Sequence, residues 1–161
     1  MRMKKLINIV LCVFIYSGIT LGTELYSVLS TPDEHTRFIR SSLANAHTRV
    51  VIVSPFITFW RLEDRRFNGN DGLGKPIKAA IERGFEVCVF TDERFDANKE
   101  WATKGREFLA SLGVDLKIVS RLHSKNLIVD NECITFGSFN WLSADTNRHI
   151  QVRSATPVKF C

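Results

Sequence analysis

Six residues whose types suit phosphate chemistry lie close together in the second half of the chain. They follow the spacing H-x-K, then D, then G-S-x-N, and they are His123, Lys125, Asp130, Gly137, Ser138 and Asn140. An imidazole can attack phosphorus or move a proton, while an ammonium and a carboxamide can hold phosphate oxygens as negative charge builds. A hydroxyl beside a glycine adds a donor where the backbone must approach closely. The pattern therefore favours chemistry on a phosphodiester.

This stretch resembles the HKD motif of the phospholipase D superfamily at every defining position. The resemblance implies an α/β fold, a phospholipase D-like sandwich in which helices flank a mixed β-sheet and each chain carries one HKD half-site. It also implies a hydrolase of phosphodiester bonds that works through a phosphohistidine intermediate. No metal and no other cofactor is expected.

The resemblance also assigns roles to the motif residues. His123 is the nucleophile or its acid partner, and Lys125 and Asn140 bind phosphate oxygens. Ser138 donates a further hydrogen bond to the phosphate. Asp130 belongs to the catalytic motif but lies at a turn, where a carboxylate usually makes local bonds. We therefore expect Asp130 to organise the motif rather than to react.

The mechanism needs two histidines, but the sequence contains one copy of the motif. Small single-motif bacterial nucleases of this superfamily pair two identical chains, so that each contributes its motif to one shared site. The resemblance therefore implies a homodimer that completes the active site. If one chain is active alone, His149 is the first candidate for the second acid.

The sequence departs from the family pattern in two places. Many members carry a glutamate on the strand after the motif that bonds the catalytic histidine, whereas here no carboxylate follows Asp145. Members also usually end with a helix, so we expect a short or truncated C-terminus. The missing glutamate means that another group must orient His123, or that activity is reduced.

The N-terminus has the order of a secretory signal. Arg2, Lys4 and Lys5 precede an apolar run over residues 6–21, with small residues toward its end at Gly22. The run also approaches the ~20 residues of a membrane span. We therefore expect residues 1–22 to be a signal peptide or a membrane anchor, and residues 23–161 to be the catalytic domain. The protein is then exported (periplasmic or secreted) or tethered, with membrane contact through residues 6–21.

Charge gives little further guidance on the substrate. The net charge is +5, but the chain without residues 1–22 has 19 basic and 17 acidic residues, a net charge of +2. Any attraction for nucleic acid must come from a local patch. The candidate patches are a loop with Arg61, Arg65 and Arg66, a helix with Lys99, Lys104 and Arg106, and Arg121 beside the motif.

Beyond the leader, the cysteines are not expected to form a disulfide framework, and the histidines other than His123 lie outside the motif. Cys88 and Cys133 lie in strand patterns and are expected to be core thiols, while Cys161 is a possible free thiol. No Cys/His spacing indicates zinc. His35 and His47 fall at the ends of a predicted helix, where imidazoles that are solvated or that face the helix dipole are common. His149 falls near the last predicted strand, and its role is left open.

Strands and helices alternate along the chain, which predicts an α/β sheet with packed helices. The predicted helices span residues 30–46, residues 76–84, and a segment that Asp96 caps and that Gly113 ends. In the last helix we expect Trp101, Phe108, Leu109 and Leu112 to face inward. The predicted strands span residues 49–54, 85–91, 116–120 and 150–153, with a hairpin of 127–129 and 133–136 that turns at Asp130.

One glycine-rich segment imitates a nucleotide-binding loop. Residues 69–75 have the G-x-x-x-x-G-K spacing, but Pro76 stands where that motif needs Ser or Thr to hold magnesium. The segment before it is not a convincing strand. We interpret it as an ordinary loop that can border the active site.

Three functions share the motif. A nuclease is the leading prediction, because compact single-motif members more often cut nucleic acid. A phospholipase that hydrolyses headgroup phosphodiesters is the second, favoured if the leader holds the site at a bilayer. A non-catalytic module that binds phosphate or nucleic acid is the third, motivated by the missing glutamate.

Overall fold

The computed structural model describes residues 26–63, 72–95, 100–143 and 158–160. The leader, Asp96, Asp145, His149 and the strand predicted at 150–153 lie outside these residues. None of the helices in the described ranges has the length and apolar character that a membrane crossing requires.

Seven strands and four helices make up the described part of the chain. In chain order they are β1 (Tyr26–Val28), α1 (Pro32–Asn45), β2 (Arg49–Val53), α2 (Phe59–Leu62), α3 (Gly74–Glu82), β3 (Glu86–Asp92), a 3₁₀ turn (Glu93–Phe95), α4 (Glu100–Ser111), β4 (Asp115–Val119), β5 (Asn126–Val129), β6 (Cys133–Phe136) and β7 (Val158–Phe160). The strands form one sheet in the order β1-β7-β6-β5-β2-β3-β4. Strands β1 and β7 and helix α2 were not predicted from the sequence.

The sheet is mixed, as the sequence predicts. Strand β3 pairs in parallel with both β2 and β4, whereas β5 runs antiparallel to β2, and β6 antiparallel to β5. Val53 at the end of β2 pairs with Asn126 at the start of β5. The ends of β2, β3, β4 and β6 and the start of β5 therefore meet at one end of the sheet, which we call the carboxyl end.

Helix α1 begins where the sequence predicts it. The Thr31 side chain accepts a hydrogen bond from the backbone of Glu34, and the Glu34 carboxylate accepts one from the backbone of Thr31. This capping box satisfies N–H groups that a helix start otherwise leaves unpaired. Ile39 and Leu43 of this helix are fully buried in the hydrophobic core.

The inner face of α4 differs from the prediction. Ala102, Gly105 and Leu109 are its buried residues, whereas Trp101 is 51% exposed, so its predicted inward position is wrong. A Cβ on Gly105 would lie 2.7 Å from the Ile57 side chain. The helix therefore packs through small residues that allow close approach, and no room remains for an indole there.

The glycine-rich segment serves packing at its described end. Helix α3 begins at Gly74, two residues before the predicted start at Pro76. Gly74 is buried, and a Cβ there would lie 2.7 Å from both the Leu62 carbonyl oxygen and the Phe108 ring. This glycine is required by the close contact of α3 with α2 and α4.

The two described cysteines differ in state. Cys88 is a buried free thiol, and burial raises its pKa to about 11. Cys133 is disulfide-bonded, so its interpretation as a core thiol is wrong.

Candidate active site

The motif residues gather at the carboxyl end of the sheet. His123 lies in the connection from β4 to β5, and Lys125 immediately precedes β5. Ser138 and Asn140 follow the end of β6, which is antiparallel to β5 and therefore ends where β5 begins. In open α/β sheets this end is the usual place for ligands, because loops converge there around a rigid support.

His123 is exposed, and Lys125 holds its backbone in place. Lys125 is only 7% exposed, and its Nζ donates a hydrogen bond to the His123 carbonyl oxygen at 2.6 Å. Burial lowers the pKa of Lys125 from its usual value. A buried cation is thus fixed on the backbone of an exposed histidine, and these two residue types suit attack on a phosphate.

Thr135 fixes β5 and β6 relative to each other. Its buried hydroxyl accepts a hydrogen bond from the Leu127 backbone at 2.8 Å, and its carbonyl oxygen accepts one from the Asn126 side chain at 2.7 Å. These bonds set the register between the strand that follows Lys125 and the strand that leads to Ser138. The two halves of the motif are therefore positioned together.

Asp130 lies at the other end of β5, with the four residues of that strand, about 13 Å of extended chain, between it and Lys125. Its carboxylate accepts hydrogen bonds from the backbones of His47, Thr48 and Arg49 at 3.0, 2.7 and 3.0 Å, and from the Thr48 hydroxyl at 2.9 Å. These donors, with the Arg49 backbone foremost, hold the pKa of Asp130 well below its usual range. The geometry favours a role in joining the hairpin to the start of β2.

Asn140 and its neighbours are held against the sheet. The Leu142 backbone donates a hydrogen bond to the Ser54 hydroxyl at 3.1 Å, and its carbonyl oxygen accepts one from the Thr58 backbone at 2.8 Å. Trp141 is fully buried. The Asn140 carboxamide oxygen is buried and has no hydrogen-bond partner among the described residues. Ser138 is half-buried beside it.

His35 supports this segment from below, and its interpretation as a solvated residue is wrong. It is 3% exposed, and its ring stacks on Phe139 with centroids 4.0 Å apart and planes at 26°. Since a carbonyl oxygen only accepts, His35 Nδ1 donates to the Thr31 oxygen at 2.6 Å. Burial, together with the charge of Arg61, lowers the pKa of His35 although the Thr31 bond opposes this. His47, in contrast, is exposed as predicted.

Arg61 was also misjudged from the sequence, as part of an exposed basic loop. It lies in α2, is 6% exposed, and donates from Nη2 to the Thr36 hydroxyl at 2.9 Å. Its Nε faces the Trp141 carbonyl oxygen at 3.5 Å. A basic, short loop sequence gave no sign that tertiary contacts would bury this guanidinium beneath the motif. The burial of His35 and Arg61 beneath the motif therefore became apparent only from the structure.

The described residues contain no group of three or more His, Cys, Asp or Glu side chains arranged to hold a metal ion. The motif side chains themselves offer one imidazole, one ammonium, one hydroxyl and one carboxamide. Such a set is suited to binding an anion and to nucleophilic attack or proton transfer.

Comparison with known proteins agrees with this geometry. Residues 39–152 match the family model described as "Cardiolipin synthase, PLD-like domain". Among curated proteins no sequence matches the chain. Among solved structures, the chain is similar to Nuc of Salmonella typhimurium, a phospholipase D family member, with 25% identity and a TM-score of 0.60 over 83% of this chain and 80% of that one.

Two more distant structures share the fold. NucT of Helicobacter pylori has 17% identity and a TM-score of 0.56, with 83% of each chain covered. TrmBL2, an archaeal chromatin protein, has 18% identity and a TM-score of 0.51 over 98% of this chain and 54% of that one. The family model covers most of the chain and contains the whole motif from His123 to Asn140. The chain therefore belongs to the phospholipase D-like family, as a hydrolase that acts on phosphodiester bonds.

Proposed function

We propose that this hydrolase is a nuclease that cleaves DNA or RNA without a metal, through a phosphohistidine intermediate. The observation that carries the proposal is an exposed His123 whose carbonyl oxygen accepts a hydrogen bond from the buried Lys125, at the carboxyl end of the sheet. The similarity to Nuc, at 25% identity over most of both chains, supports a nuclease over a lipid-cleaving enzyme.

In the proposed first step, a ring nitrogen of His123 attacks phosphorus. A P–N bond forms, the P–O bond to the leaving group breaks, and the leaving oxygen takes a proton from a second histidine. Lys125, Ser138 and Asn140 hold the phosphoryl oxygens while their charge increases. Water then gives a proton to the second histidine, attacks phosphorus and breaks the P–N bond.

The second histidine is proposed to be the partner subunit's His123 in a two-fold homodimer. The sequence contains one copy of the motif, and the exposure of His123 supports a site that a second chain completes. Phe136, on the strand that leads to Ser138, is 48% exposed and can contribute apolar area to such an interface. Sedimentation of the active enzyme tests this point, because an active species of monomer mass would contradict it.

The proposed location is outside the cytoplasm, or at the membrane through residues 6–21, with 1–22 as signal peptide or anchor and 23–161 as catalytic domain. The disulfide at Cys133 supports this proposal, because such bonds persist mainly in oxidising compartments. Cell fractionation of the full chain tests it, and recovery of the uncleaved protein in the cytoplasm would contradict it.

A phospholipase is the second candidate, favoured by the description of the matching family model, which names cardiolipin synthase, and by the apolar leader. The test compares plasmid nicking with phosphatidylcholine hydrolysis. Both assays contain chelator. Each is run twice, once with the full chain in mixed vesicles and once with a protein of residues 23–161. His123→Asn serves as the inactive control in each.

We expect the wild-type enzyme to nick the plasmid and His123→Asn to abolish this nicking. Hydrolysis of phosphatidylcholine is expected to be at least a hundredfold slower than hydrolysis of DNA. Lipid hydrolysis alone would replace the nuclease by the phospholipase. Binding of DNA with hydrolysis of neither substrate would favour the non-catalytic module.

A further inference from the structure

A buried carboxylate at the carboxyl end of the sheet orients an arginine. Asp92, the last residue of β3, is fully buried, whereas the side chain of Arg94 is 48% exposed. Arg94 donates from Nε at 3.0 Å and from Nη2 at 2.6 Å to the two carboxylate oxygens, and its backbone N–H donates at 2.8 Å. A two-point bond of this kind fixes the plane of the guanidinium.

The same carboxylate lies next to the loop that carries His123. Asp92 pairs with Val119, the last residue of β4, which lies four residues before His123 in the chain. The segment that carries the fixed guanidinium of Arg94 and the loop that carries His123 therefore begin at the ends of neighbouring strands.

Arg121, one residue earlier in this loop, has a strained backbone. Its φ is +59°, a left-handed conformation that non-glycine residues seldom adopt. Its side chain is exposed, and no hydrogen bond or ion pair engages it within the described ranges. Strain of this kind is retained mainly where it serves a site, since glycine would adopt the same turn more easily.

We propose that Arg94 and Arg121 form a second phosphate subsite beside His123, which binds the phosphate next to the scissile one in a nucleic-acid strand. This inference rests on the proposed nuclease function and extends it by naming what the site recognises. Two guanidinium groups suit phosphate recognition, because each presents several donors in one plane. A polymer offers a neighbouring phosphate, whereas a substrate with a single phosphodiester does not.

The test compares a single-stranded oligonucleotide with bis(4-nitrophenyl) phosphate, which has one phosphodiester. Arg121→Gly is the main variant, because glycine keeps the positive φ while it removes the cation. Arg121→Lys keeps the charge at the same place. Arg94→Gln is the second variant, and Lys78→Ala, on the exposed face of α3, is the matched control for the loss of one surface charge.

We expect Arg121→Gly and Arg94→Gln to raise KM for the oligonucleotide about tenfold each, as for loss of a charged phosphate contact. The effect on kcat/KM for the small diester is expected to be at least five times smaller, and Lys78→Ala is expected to change neither. Arg121→Lys is expected to have a KM for the oligonucleotide close to that of the wild type. Equal losses on both substrates would show that the arginines merely hold the His123 loop and would overturn the subsite.

Binding separates this inference from the proposed function. A fluorescent oligonucleotide is titrated with the His123→Ala enzyme, with and without Arg121→Gly, over a range of salt concentrations. We expect the logarithmic salt slope to fall by about 0.7 for each lost contact to a single strand. An arginine-dependent slope, together with a wild-type enzyme that hydrolyses no DNA, would retain the subsite and refute the nuclease. Normal DNA hydrolysis with an unchanged slope would refute the subsite alone.

Discussion

Replacing Asp130 by alanine is expected to destabilise the fold far more than it impairs the chemistry of each folded molecule. The Asp130 carboxylate is 9% exposed and accepts four hydrogen bonds, three of them from backbone N–H groups at the start of β2. It lies at the opposite end of β5 from Lys125. Alanine removes every acceptor at once and leaves those N–H groups without partners.

The magnitude follows from these bonds. At about 1 to 1.5 kcal/mol net per hydrogen bond, four bonds give about 4 to 6 kcal/mol as an upper bound. Water can replace some acceptors at this partly accessible turn, so we expect a loss of about 3 to 4 kcal/mol in the free energy of unfolding. For a domain of this size, that loss lowers Tm by about 10 °C.

The assay is thermal or urea unfolding of the wild type and Asp130→Ala, with kcat measured below both transitions. Glu132→Ala is the matched control, because Glu132 is an exposed carboxylate in the same turn. Its loss is expected to change the free energy of unfolding by less than about 0.5 kcal/mol.

Acid adds a second signature of the same carboxylate. The hydrogen bonds keep the pKa of Asp130 well below the value of about 3.9 that an aspartate has in an unfolded chain. The stabilisation is therefore fully present above about pH 4 and is lost as the pH falls from there toward the folded-state pKa. Asp130→Ala is expected to lack this part of the acid transition.

A specific pair of results would refute this reasoning. If Asp130→Ala unfolds at the same temperature as Glu132→Ala but loses kcat more than a hundredfold, Asp130 takes part in the chemistry and does not organise the hairpin.

Three further predictions follow from other contacts. Lys125→Ala is expected to lower kcat about a hundredfold or more in a steady-state assay, because it removes a fixed donor to the phosphate; a change below threefold would contradict this. Gly74→Ala is expected to lower the free energy of unfolding by about 1 to 3 kcal/mol, since its Cβ would overlap Leu62 and Phe108. Gly84→Ala is the control, because Gly84 has a positive φ but open space around it, so this variant shows the cost of the backbone conformation without overlap. Burial lowers the pKa of His35, so the stability that its neutral form contributes is fully present above about pH 6.5 and is lost as the pH falls through the folded-state pKa. The free energy of unfolding of His35→Phe is therefore expected to depend less on pH between about 5 and 7 than that of the wild type. An identical pH profile for the two proteins would contradict the buried position.

The sequence predicts the part of the fold that local signals control. The capping box of α1 and the β5–β6 hairpin turn each depend on a few neighbouring residues. The motif spacing likewise identified His123, Lys125, Ser138 and Asn140, and the structure brings the segments that carry them to one end of the sheet.

Long-range packing explains the predictions that failed. Trp101 is excluded from the core by the close approach of Gly105 to Ile57, a contact between segments far apart in the chain. His35 is buried because Phe139, more than a hundred residues later, stacks on it. Neither pairing changes the local pattern of apolar residues, so neither could be read from that pattern.

The proposed phosphohistidine is tested most directly by trapping it. DNA with ³²P at internal phosphates is mixed with the enzyme, the reaction is quenched in alkali within one turnover, and the labelled peptide is mapped. We expect label on His123 that is stable in alkali and lost in acid, and no label in His123→Ala. Rapid DNA hydrolysis with no covalent label, or with label on another residue, would contradict it.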